Sequence, residues 1–584
     1  MQPYLPEQVL PNPDAPTFDI VLATLNARYI HAAFGLRCLQ ANLGSLQPAS
    51  QIQEFTTQTR PLVIAETLLA ASPRIVGLGV YIWNTTETLA LVRLLKALEP
   101  GLIIVLGGPE ISFETDQQPL FVLADHVITG EGELAFAALC HQLLGPTANV
   151  HAAAMPAVDR PPPPKLIPGG LPDPAALALP YDLYTDADIA DRVLYVEASR
   201  GCPYRCEFCL SALDKSVRQF PLEAFLAAMT TLLDRGARSF KFVDRTFNLS
   251  PRTSEAILRF FLGRIAELGP DDGLFLHFEM VPDRFPVALR SLIAAFPPGA
   301  VQFEVGVQTL NEDVAARIDR RQRNDKVFEN LHFLDQHTGV HVHADLIIGL
   351  PGEDLASFGL GFDRLLATGV DEIQVGILKR LRGAPIAHHT AAWQMLYSPL
   401  PPYELLRNRD LTATHMQQMR GFARFWDLFA NSGRFQQTLP LLLAGDAPSD
   451  EPDTSAAPHT PNTPATSGAF DAFLRFSDWL RDHVGQSHAL SLQRCVGALF
   501  TYLVSVRGLR PEDAAAPLAA DYRRVSKKQH VPAVLQRHVK TVSAPASSAP
   551  IASASAATVA PTSAPPTSAR PASAAPSRQR RHQP

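Results

Sequence analysis

Residues 199–212 read SRGCPYRCEFCLSA, and they place three of the six cysteines of the chain, Cys202, Cys206 and Cys209, within eight residues. This CxxxCxxC spacing allows one short loop to bind an iron–sulfur cluster through three thiolates. Four thiolates would saturate a cubane cluster, whereas three leave one iron open, as a catalytic metal site requires. Zinc is the alternative, but it needs a fourth ligand, and the first histidine downstream is His277.

Composition and charge are typical of a globular enzyme with several domains. The chain has 584 residues, of which 46% are hydrophobic and 18% charged, and its net charge of −6 gives no electrostatic case for nucleic acid as the main partner. No apolar run reaches the ~18 residues of a membrane span, and the first residues do not have the pattern of a secretory signal. Cys38, Cys140 and Cys495 are isolated in apolar helical patterns, so we expect buried thiols and a reducing, cytoplasmic location.

Residues 1–150 alternate strand-like and helix-like segments. Five apolar runs, TFDIVLATL, SQIQEFTT, RIVGLGVYI, GLIIVLGG and ADHVITG, are separated by helical periodicity. This alternation predicts an α/β fold with a doubly wound, Rossmann- or flavodoxin-like parallel sheet. Gly107, Gly108 and Gly130 lie in loops after the fourth and fifth strands, where they allow the backbone close to a flat ligand. A sheet that binds nothing is the alternative.

Residues 186–390 contain a second series of strand and helix patterns. Its six strand candidates are VLYVEAS, SFKFVDRTF, LFLHFEM, VQFEVGVQ, HVHADLIIGL and DEIQVGIL. Six strand–helix units predict an open, partial (β/α)6 barrel whose site lies at the carboxyl ends of the strands.

The cysteine loop, with Phe208 directly before Cys209 and the strand-like LYVEAS before the loop, resembles the radical S-adenosylmethionine (SAM) superfamily. The resemblance implies a [4Fe–4S] cluster on the three cysteines, with the open iron chelating the amino and carboxylate groups of SAM. It implies that the cluster reduces SAM to a 5′-deoxyadenosyl radical. It also implies that Phe208 contacts the cofactor.

Further cofactor residues follow from the same resemblance. Asp244, after the second barrel strand, would bind the methionine amino group of SAM. Glu304 or Gln308, on the fourth strand, would contact the ribose or the substrate, and Gly349 would let the backbone pass the adenine. For Asp244 a surface pair with Arg245 is the alternative. No catalytic residue is assigned.

Charged residues also occur near the ends of the barrel strands. Glu279 and Glu304 lie on the third and fourth strands, and acids inside a barrel are costly unless they are paired or bind a ligand. After the sixth strand, KRLRGAP supplies Lys379, Arg380 and Arg382. These cations either face an acidic substrate or cap the mouth of the barrel.

The first domain resembles the cobalamin-binding domain of one radical SAM subgroup, in its GGPE turn and its TGEGE segment. Cobalamin is therefore a cofactor that the resemblance implies. Domains with an axial histidine carry DxHxxG after the first strand, whereas this chain reads NARYIHAAFG, with His31 but no aspartate. We therefore expect the protein to give the cobalt no histidine ligand, and we expect His31 to cap the first helix.

The rest of the chain connects or follows these two domains. Residues 151–185 are rich in proline and predict a linker, and residues 391–543 resemble an uncharacterised helical extension of a cobalamin-type subgroup. Its aromatic residues at helical spacing indicate a packing face; they are Phe422, Phe425, Trp426 and Phe429. Residues 447–468 read as a flexible insertion, and residues 544–584 read as a disordered tail.

The function that the resemblance implies is a radical SAM enzyme, cobalamin-dependent, that catalyses methyl transfer or rearrangement on an unknown small molecule. An electron donor such as flavodoxin or ferredoxin is implied as a partner. A tRNA methylthiotransferase is one alternative, although it would need three further cysteines in the first domain, where only Cys38 and Cys140 occur. A non-enzymatic cobalamin or redox sensor is the other.

Overall fold

The structure is a computed structural model, and it describes residues 17–145, 162–269, 272–444, 468–484, 490–526 and 530–539. The described residues up to Met416 form one compact unit, and those from Gln417 onward form a second. The predicted tail at 544–584 lies outside the described residues, as does almost all of the predicted insertion at 447–468.

A six-stranded parallel sheet opens the first unit, in the order β2-β1-β3-β4-β5-β6. Its strands are β1 (Ile20–Asn26), β2 (Ser50–Thr56), β3 (Ile75–Gly79), β4 (Ile103–Gly107), β5 (His126–Thr129) and β6 (Leu166–Pro168). The five predicted strands are all present. The sixth, β6, lies in the proline-rich stretch that we expected to be only a linker, and it pairs in parallel with β5.

Helices cover both faces of this sheet, which is the doubly wound arrangement. They are α1 (Phe34–Ala41), α2 (Pro61–Leu69), α3 (Thr85–Leu98), α4 (Pro119–Leu123) and α5 (Glu133–Leu144). Leu68 and Leu91 of α2 and α3 belong to the apolar core on one face, and Leu36 and Phe136 of α1 and α5 belong to the core on the other. The carboxyl edge of the sheet therefore stays open for a ligand.

A second parallel sheet follows, in the order β14-β13-β12-β11-β10-β7. Its strands are β7 (Leu194–Val196), β10 (Ser239–Phe242), β11 (Phe275–Met280), β12 (Val301–Gln308), β13 (His341–Ile348) and β14 (Glu372–Ile377). Because β7 and β14 are edges, the sheet is an open partial barrel. A two-stranded ribbon of β8 (Ser199–Arg200) and β9 (Arg218–Gln219) brackets the cysteine loop. The predicted fold class is confirmed.

Helices alternate with the strands of this barrel. They are α6 (Asp186–Asp191), α7 (Leu222–Asp234), α8 (Pro251–Leu268), α9 (Val287–Ala294), α10 (Glu312–Arg317), α11 (Asn324–His337) and α12 (Leu355–Leu366). Helix α7 buries Phe225, Met229 and Leu232, at the spacing of one helical face. A ribbon of β15 (Leu396–Tyr397) and β16 (Leu405–Arg407) follows the barrel.

The second unit is helical. Helix α13 (Ala413–Trp426) leads into it, and α14 (Leu439–Leu443), α15 (Ala469–Val484), α16 (Leu492–Ser505), α17 (Pro511–Val525) and α18 (Ala533–Gln536) complete it. Phe422 lies 5.0 Å from Phe470, and Trp426 lies 4.9 Å from Phe473, measured between ring centroids. These aromatic side chains form a packed core.

Among the helices in the described part of the chain, none combines the length and the apolar character that crossing a bilayer would take.

Candidate functional site

The cysteine loop is held by backbone contacts from both sides. The Cys202 N–H donates to the carbonyl of Asp214 at 2.8 Å, and the Cys209 N–H donates to the carbonyl of Cys206 at 3.0 Å. Gly201, directly before the loop, has a φ of +88°, and a side chain there would meet the backbone of Ser216. The glycine is therefore required for the turn that starts the loop.

The three cysteines line one cavity of about 300 Å³ at the carboxyl ends of the barrel strands. Among the residues that the structure describes, the wall of this cavity holds neither a fourth cysteine nor a histidine, so it lacks the fourth ligand of a structural Cys or Cys/His zinc site. The Tyr204 hydroxyl is buried in the same wall without a hydrogen-bond partner. The three thiols can ligate three irons of a cluster and leave the fourth iron open. The unpaired Tyr204 hydroxyl in the same wall remains available to a group bound in the cavity.

Phe208 and Gln308 lie where this cluster cavity meets a second cavity of about 250 Å³ at the ends of β13 and β14. Gln308 has a φ of +70°, which is unusual for a residue with a side chain, and β12 shifts register between Gly306 and Gln308. Backbone strain of this kind occurs at binding sites. Asp345 lines both cavities as well, so the two lie side by side next to the cysteine loop.

Polar side chains fill the interior of the barrel at the cluster cavity, which Glu304 lines. Glu304 accepts hydrogen bonds from Lys241 Nζ at 3.2 Å and from His277 Nε2 at 3.0 Å. Burial alone would raise the pKa of Glu304, but the bond from His277 and the charge of Lys241 outweigh it and lower that pKa. Burial lowers the pKa of His277 to about 4. Glu304 is therefore a carboxylate with its charge matched by Lys241.

Two further acids flank Glu304 on the neighbouring strands. Glu279 is its direct register partner on β11, and Asp345 lies on β13 opposite Gly306. Burial and the charge of Glu304 raise the pKa of Glu279 to about 7, and the same causes raise that of Asp345. Both residues line the cluster cavity, so they face whatever binds beside the cluster.

Two predicted cofactor residues do not line any of the cavities described here. Asp244 accepts hydrogen bonds from the Ala198 N–H at 2.9 Å and from the Ser199 hydroxyl at 2.6 Å, so its carboxylate holds the strand before the cysteine loop. Gly349 has a φ of +102°, and a Cβ there would lie 2.6 Å from Leu405 Cδ2. The structure thus relates Gly349 to packing against the segment after the barrel.

A third cavity, of about 450 Å³, lies at the carboxyl edge of the first sheet. Gly107, Gly108 and Gly130 all line it. Gly108 has a φ of +110°, and a Cβ there would lie 2.5 Å from the carbonyl oxygen of Val80. Tyr81 also lines this cavity, and burial raises its pKa to about 12. The wall combines exposed backbone with apolar surface, as a large planar ligand requires.

Buried charges connect this edge to the start of the cysteine loop. Arg200 pairs with Glu197 at 2.6 Å, with Glu133 at 2.7 Å and with Glu131 at 3.0 Å. The Oε2 atom of Glu133 is nonetheless buried without a hydrogen-bond partner, in the wall of the third cavity. This acceptor fits the amide side chains of a corrin ring, so the residues present suit cobalamin.

His31 does not line the third cavity, and it does not cap α1 as we expected. The residue before α1 is Ala33, which makes no side-chain cap. The imidazole Nδ1 of His31 is instead 2.7 Å from the hydroxyl of Tyr195 on β7. The side chain joins the first domain to the barrel.

The arginines after β14 bind the first domain. Arg382 Nε lies 2.8 Å from Glu110, the acid of the GGPE turn, and Arg380 lies 2.8 Å from Glu114. Neither alternative from the sequence describes this arrangement. Lys379 differs from them, because it lines the cavity at the end of β14.

Several residues of the site were missed by the sequence analysis. Lys241, His277 and Asp345 are polar positions inside apolar strand runs, so the signal that identified Glu304 would also have found them. Glu133 and Arg200 had no such signal. The two residues lie 67 positions apart in the sequence (200 − 133), so no local pattern indicates that their side chains form a pair.

Family models match both domains of the first unit. The B12 binding domain matches residues 20–140, and the Radical SAM superfamily matches residues 196–359. A protein family of unknown function, DUF4080, matches residues 391–449.

Two curated relatives are methyltransferases by name. The 2-(S-pantetheinyl)-carbapenam-3-carboxylate methyltransferase of Streptantibioticus cattleyicolor is 28% identical over 54% of this chain and 48% of its own length. The cobalamin-dependent radical SAM methyltransferase TokK of Streptomyces tokunonensis is 26% identical, also over 54% of this chain and 48% of its own length. The chain thus spans about half the length of these relatives.

Among solved structures, the radical SAM methyltransferase TsrM of Kitasatospora setae, with tryptophan and a SAM analogue bound, matches with a TM-score of 0.49 at 16% identity. The match covers 66% of this chain and 79% of that one.

The fold and the cysteine loop define an open parallel barrel with a three-cysteine loop, preceded by a doubly wound α/β domain. Residues 20–140 form a B12 binding domain and residues 196–359 a Radical SAM domain, which is the domain order of the radical SAM subgroup with an amino-terminal B12-binding domain. The cofactors of these domains are a [4Fe–4S] cluster, SAM and cobalamin.

Proposed function

We propose that this chain is a cobalamin-dependent radical SAM methyltransferase that acts on a small molecule. The observation that carries the proposal is that Ser211 and Arg245 line two cavities at once. One is the third cavity, at the edge of the first sheet, which we call the cobalamin-type cavity, and the other is the cluster cavity. A substrate at this shared wall would lie between the two cofactors. The names of the two curated relatives support methyl transfer over rearrangement.

Within this proposal, Cys202, Cys206 and Cys209 hold the cluster. When bound, the reduced cluster supplies the electron that cleaves SAM, and cobalamin supplies a cobalt that can carry a methyl group. Arg320 Nη1 lies 3.4 Å from Cys206 Sγ, where the positive charge of the guanidinium offsets the negative charge of the thiolates. Phe208 and Gln308 would position SAM at the junction of the cluster cavity and the cavity at the ends of β13 and β14.

The substrate would contact the deeper wall of the cluster cavity. Glu279 and Asp345 lie there with raised pKa values, so each holds a proton more readily than an exposed acid does. Protonated carboxyls can donate hydrogen bonds to a substrate oxygen. Glu304 stays charged beside them and is neutralised by Lys241.

The protein needs an external reductant, and a flavodoxin or ferredoxin would serve. The small-molecule substrate is proposed because the two cavities that share this wall have volumes of about 300 and 450 Å³, which is the range of small-ligand sites.

The test is an anaerobic assay of reconstituted protein with dithionite, hydroxocobalamin and SAM that carries a deuterated methyl group. The proposal predicts 5′-deoxyadenosine and S-adenosylhomocysteine, and a labelled methyl group in a product when a metabolite extract is supplied. Cys206→Ala should abolish both SAM products, whereas Cys495→Ala, a buried thiol in the second unit, should leave them unchanged.

The alternatives give different products. A methylthiotransferase would add sulfur together with the methyl group. A sensor would yield no 5′-deoxyadenosine even with a fully loaded cluster. Either result would contradict the proposal.

A further inference from the structure

A group of metal-ligating side chains lies on the far side of the cysteine loop, outside the three cavities. Glu207 is the residue between Cys206 and Phe208, and its carboxylate points away from the cluster cavity, which it does not line. His388 and His389 lie at the end of a short 3-10 helix after β14. The ligand atoms of these three residues all lie within 4.8 Å of one another.

The two histidines converge on one oxygen. His389 Nε2 lies 2.7 Å from Glu207 Oε2, and His388 Nε2 lies 3.6 Å from the same atom. Consecutive residues of a 3-10 helix point about 120° apart, so adjacent side chains normally diverge. Here their ring centroids are only 4.0 Å apart. An ion pair with Glu207 would need only His389, so such a pair does not explain why His388 lies beside the same oxygen.

The distances suit a metal ion. Ligand atoms about 2.1 Å from a tetrahedral zinc ion are roughly 3.4 Å from one another. The observed 2.7 and 3.6 Å lie on either side of that value. Two imidazoles and one carboxylate are a ligand set for zinc and for the other late divalent transition ions.

The site is also rigid on both sides. The Glu207 N–H donates to the carbonyl of Ile318 at 3.0 Å, and the carbonyl of Glu207 accepts from the Ile386 N–H at 2.8 Å. Ile386 belongs to the same short helix as the histidines, so the backbone already holds the carboxylate beside them. The Glu207 and His389 side chains are 17% and 11% exposed, whereas His388 is 57% exposed and leaves an entry path.

We propose that Glu207, His388 and His389 form a site for a divalent transition-metal ion of the zinc type. The fourth position is open to water. A bound ion would fix the cysteine loop to the segment Pro385–His389, and it would be separate from the iron–sulfur cluster.

The test is a zinc titration of the reconstituted holoenzyme by calorimetry, with iron content matched among variants. Wild type should bind one zinc ion more than His388→Ala does, or bind it at least ten-fold more tightly. His388→Ala is the first variant because the residue is exposed and lacks the short bond to Glu207, so folding should be unaffected. His389→Ala should lose the same zinc ion.

His332→Ala is the matched control, since His332 is an exposed histidine on α11. It should bind zinc as wild type does. Equal binding by wild type and His388→Ala would overturn the proposal, and so would a loss in His332→Ala, which would indicate general surface binding. Loss in His389→Ala alone would reduce the site to a pair and would also overturn it.

Discussion

Glu353, in the turn after β13, is a buried acid with only half of its hydrogen-bonding capacity used. Its Oε1 accepts from the Thr309 hydroxyl at 2.7 Å, while Oε2 is buried without a partner. Burial raises the pKa of Glu353 to about 7 from its ordinary value of 4.5. The folded state therefore binds this proton more tightly than the unfolded state does.

A raised acid pKa makes stability fall as the pH increases. The contribution of the protonated Glu353 is fully present below its unfolded pKa of 4.5 and is lost as the pH rises through about 7. Glu353→Gln keeps the bond from Thr309 without the charge. We expect this variant to be more stable than wild type at about pH 8, by about 1–3 kcal/mol, measured as the free energy of unfolding in urea.

Glu312→Gln is the control for this comparison, because Glu312 is an exposed acid on α10. It should shift stability by less than about 0.5 kcal/mol at either pH. Equal pH dependence in wild type and Glu353→Gln would show that Glu353 titrates normally.

Gly108 illustrates a backbone requirement of the cobalamin-type cavity. Its φ of +110° and the 2.5 Å approach to Val80 leave no room for a side chain. We expect Gly108→Ala to cost about 1–3 kcal/mol in the free energy of unfolding. Gly101→Ala should be close to neutral, since a Cβ there meets only Glu99 Oε1, at 3.5 Å. An unchanged stability for Gly108→Ala would contradict the described loop.

At the scale of elements, the loop after β4 is joined to the segment after β14. Glu110 is 4% exposed and is bound by Arg382 Nε at 2.8 Å and by the Tyr403 hydroxyl at 2.8 Å. Removing one partner of a buried pair leaves the other charge unpaired. Arg382→Ala should therefore lower the free energy of unfolding by about 2–4 kcal/mol.

Arg382→Ala should also weaken corrinoid binding, because the loop after β4 borders the cobalamin-type cavity through Gly108 and Pro109. Corrinoid retained after desalting measures this effect. Arg259→Ala is the control, since the Arg259 side chain lies on α8, is 62% exposed and lines none of the three cavities. If Arg382→Ala behaved as Arg259→Ala does, the loop would not depend on this contact.

Strands of both sheets could be predicted from the sequence because their apolar runs are local signals. The direction of the side chains at the strand ends could not be predicted from the sequence. Asp244 lies two residues after the end of β10 and turns back to Ala198 and Ser199, and hydrogen bonds to these two residues set that direction. Glu304 was easier, because the alternation within β12 already places it on the inner face.

Contacts between distant segments were also beyond the sequence. Nothing near Arg382 indicates that its partner is Glu110, because the two residues lie 272 positions apart in the sequence and in different domains. The glycines at 107, 108 and 130 were predictable, since turns at strand ends carry a local signal.

At the scale of the whole first unit, two cofactor cavities share a wall. Ser211 and Arg245 line both, and the charged contacts of Arg200 and Arg382 hold the two domains in this arrangement. We propose that one chain holds a corrinoid and an iron–sulfur cluster on either side of one substrate space.

The most direct measurement is the cobalt and iron content of a single sample, reconstituted anaerobically with iron, sulfide and hydroxocobalamin and then desalted. We expect the wild-type chain to retain both metals. Cys206→Ala should lose iron but keep cobalt, and Gly108→Ala should lose cobalt but keep iron. Retention of iron without cobalt by the wild-type chain would contradict the claim, because the first domain would then be a scaffold that binds no corrinoid.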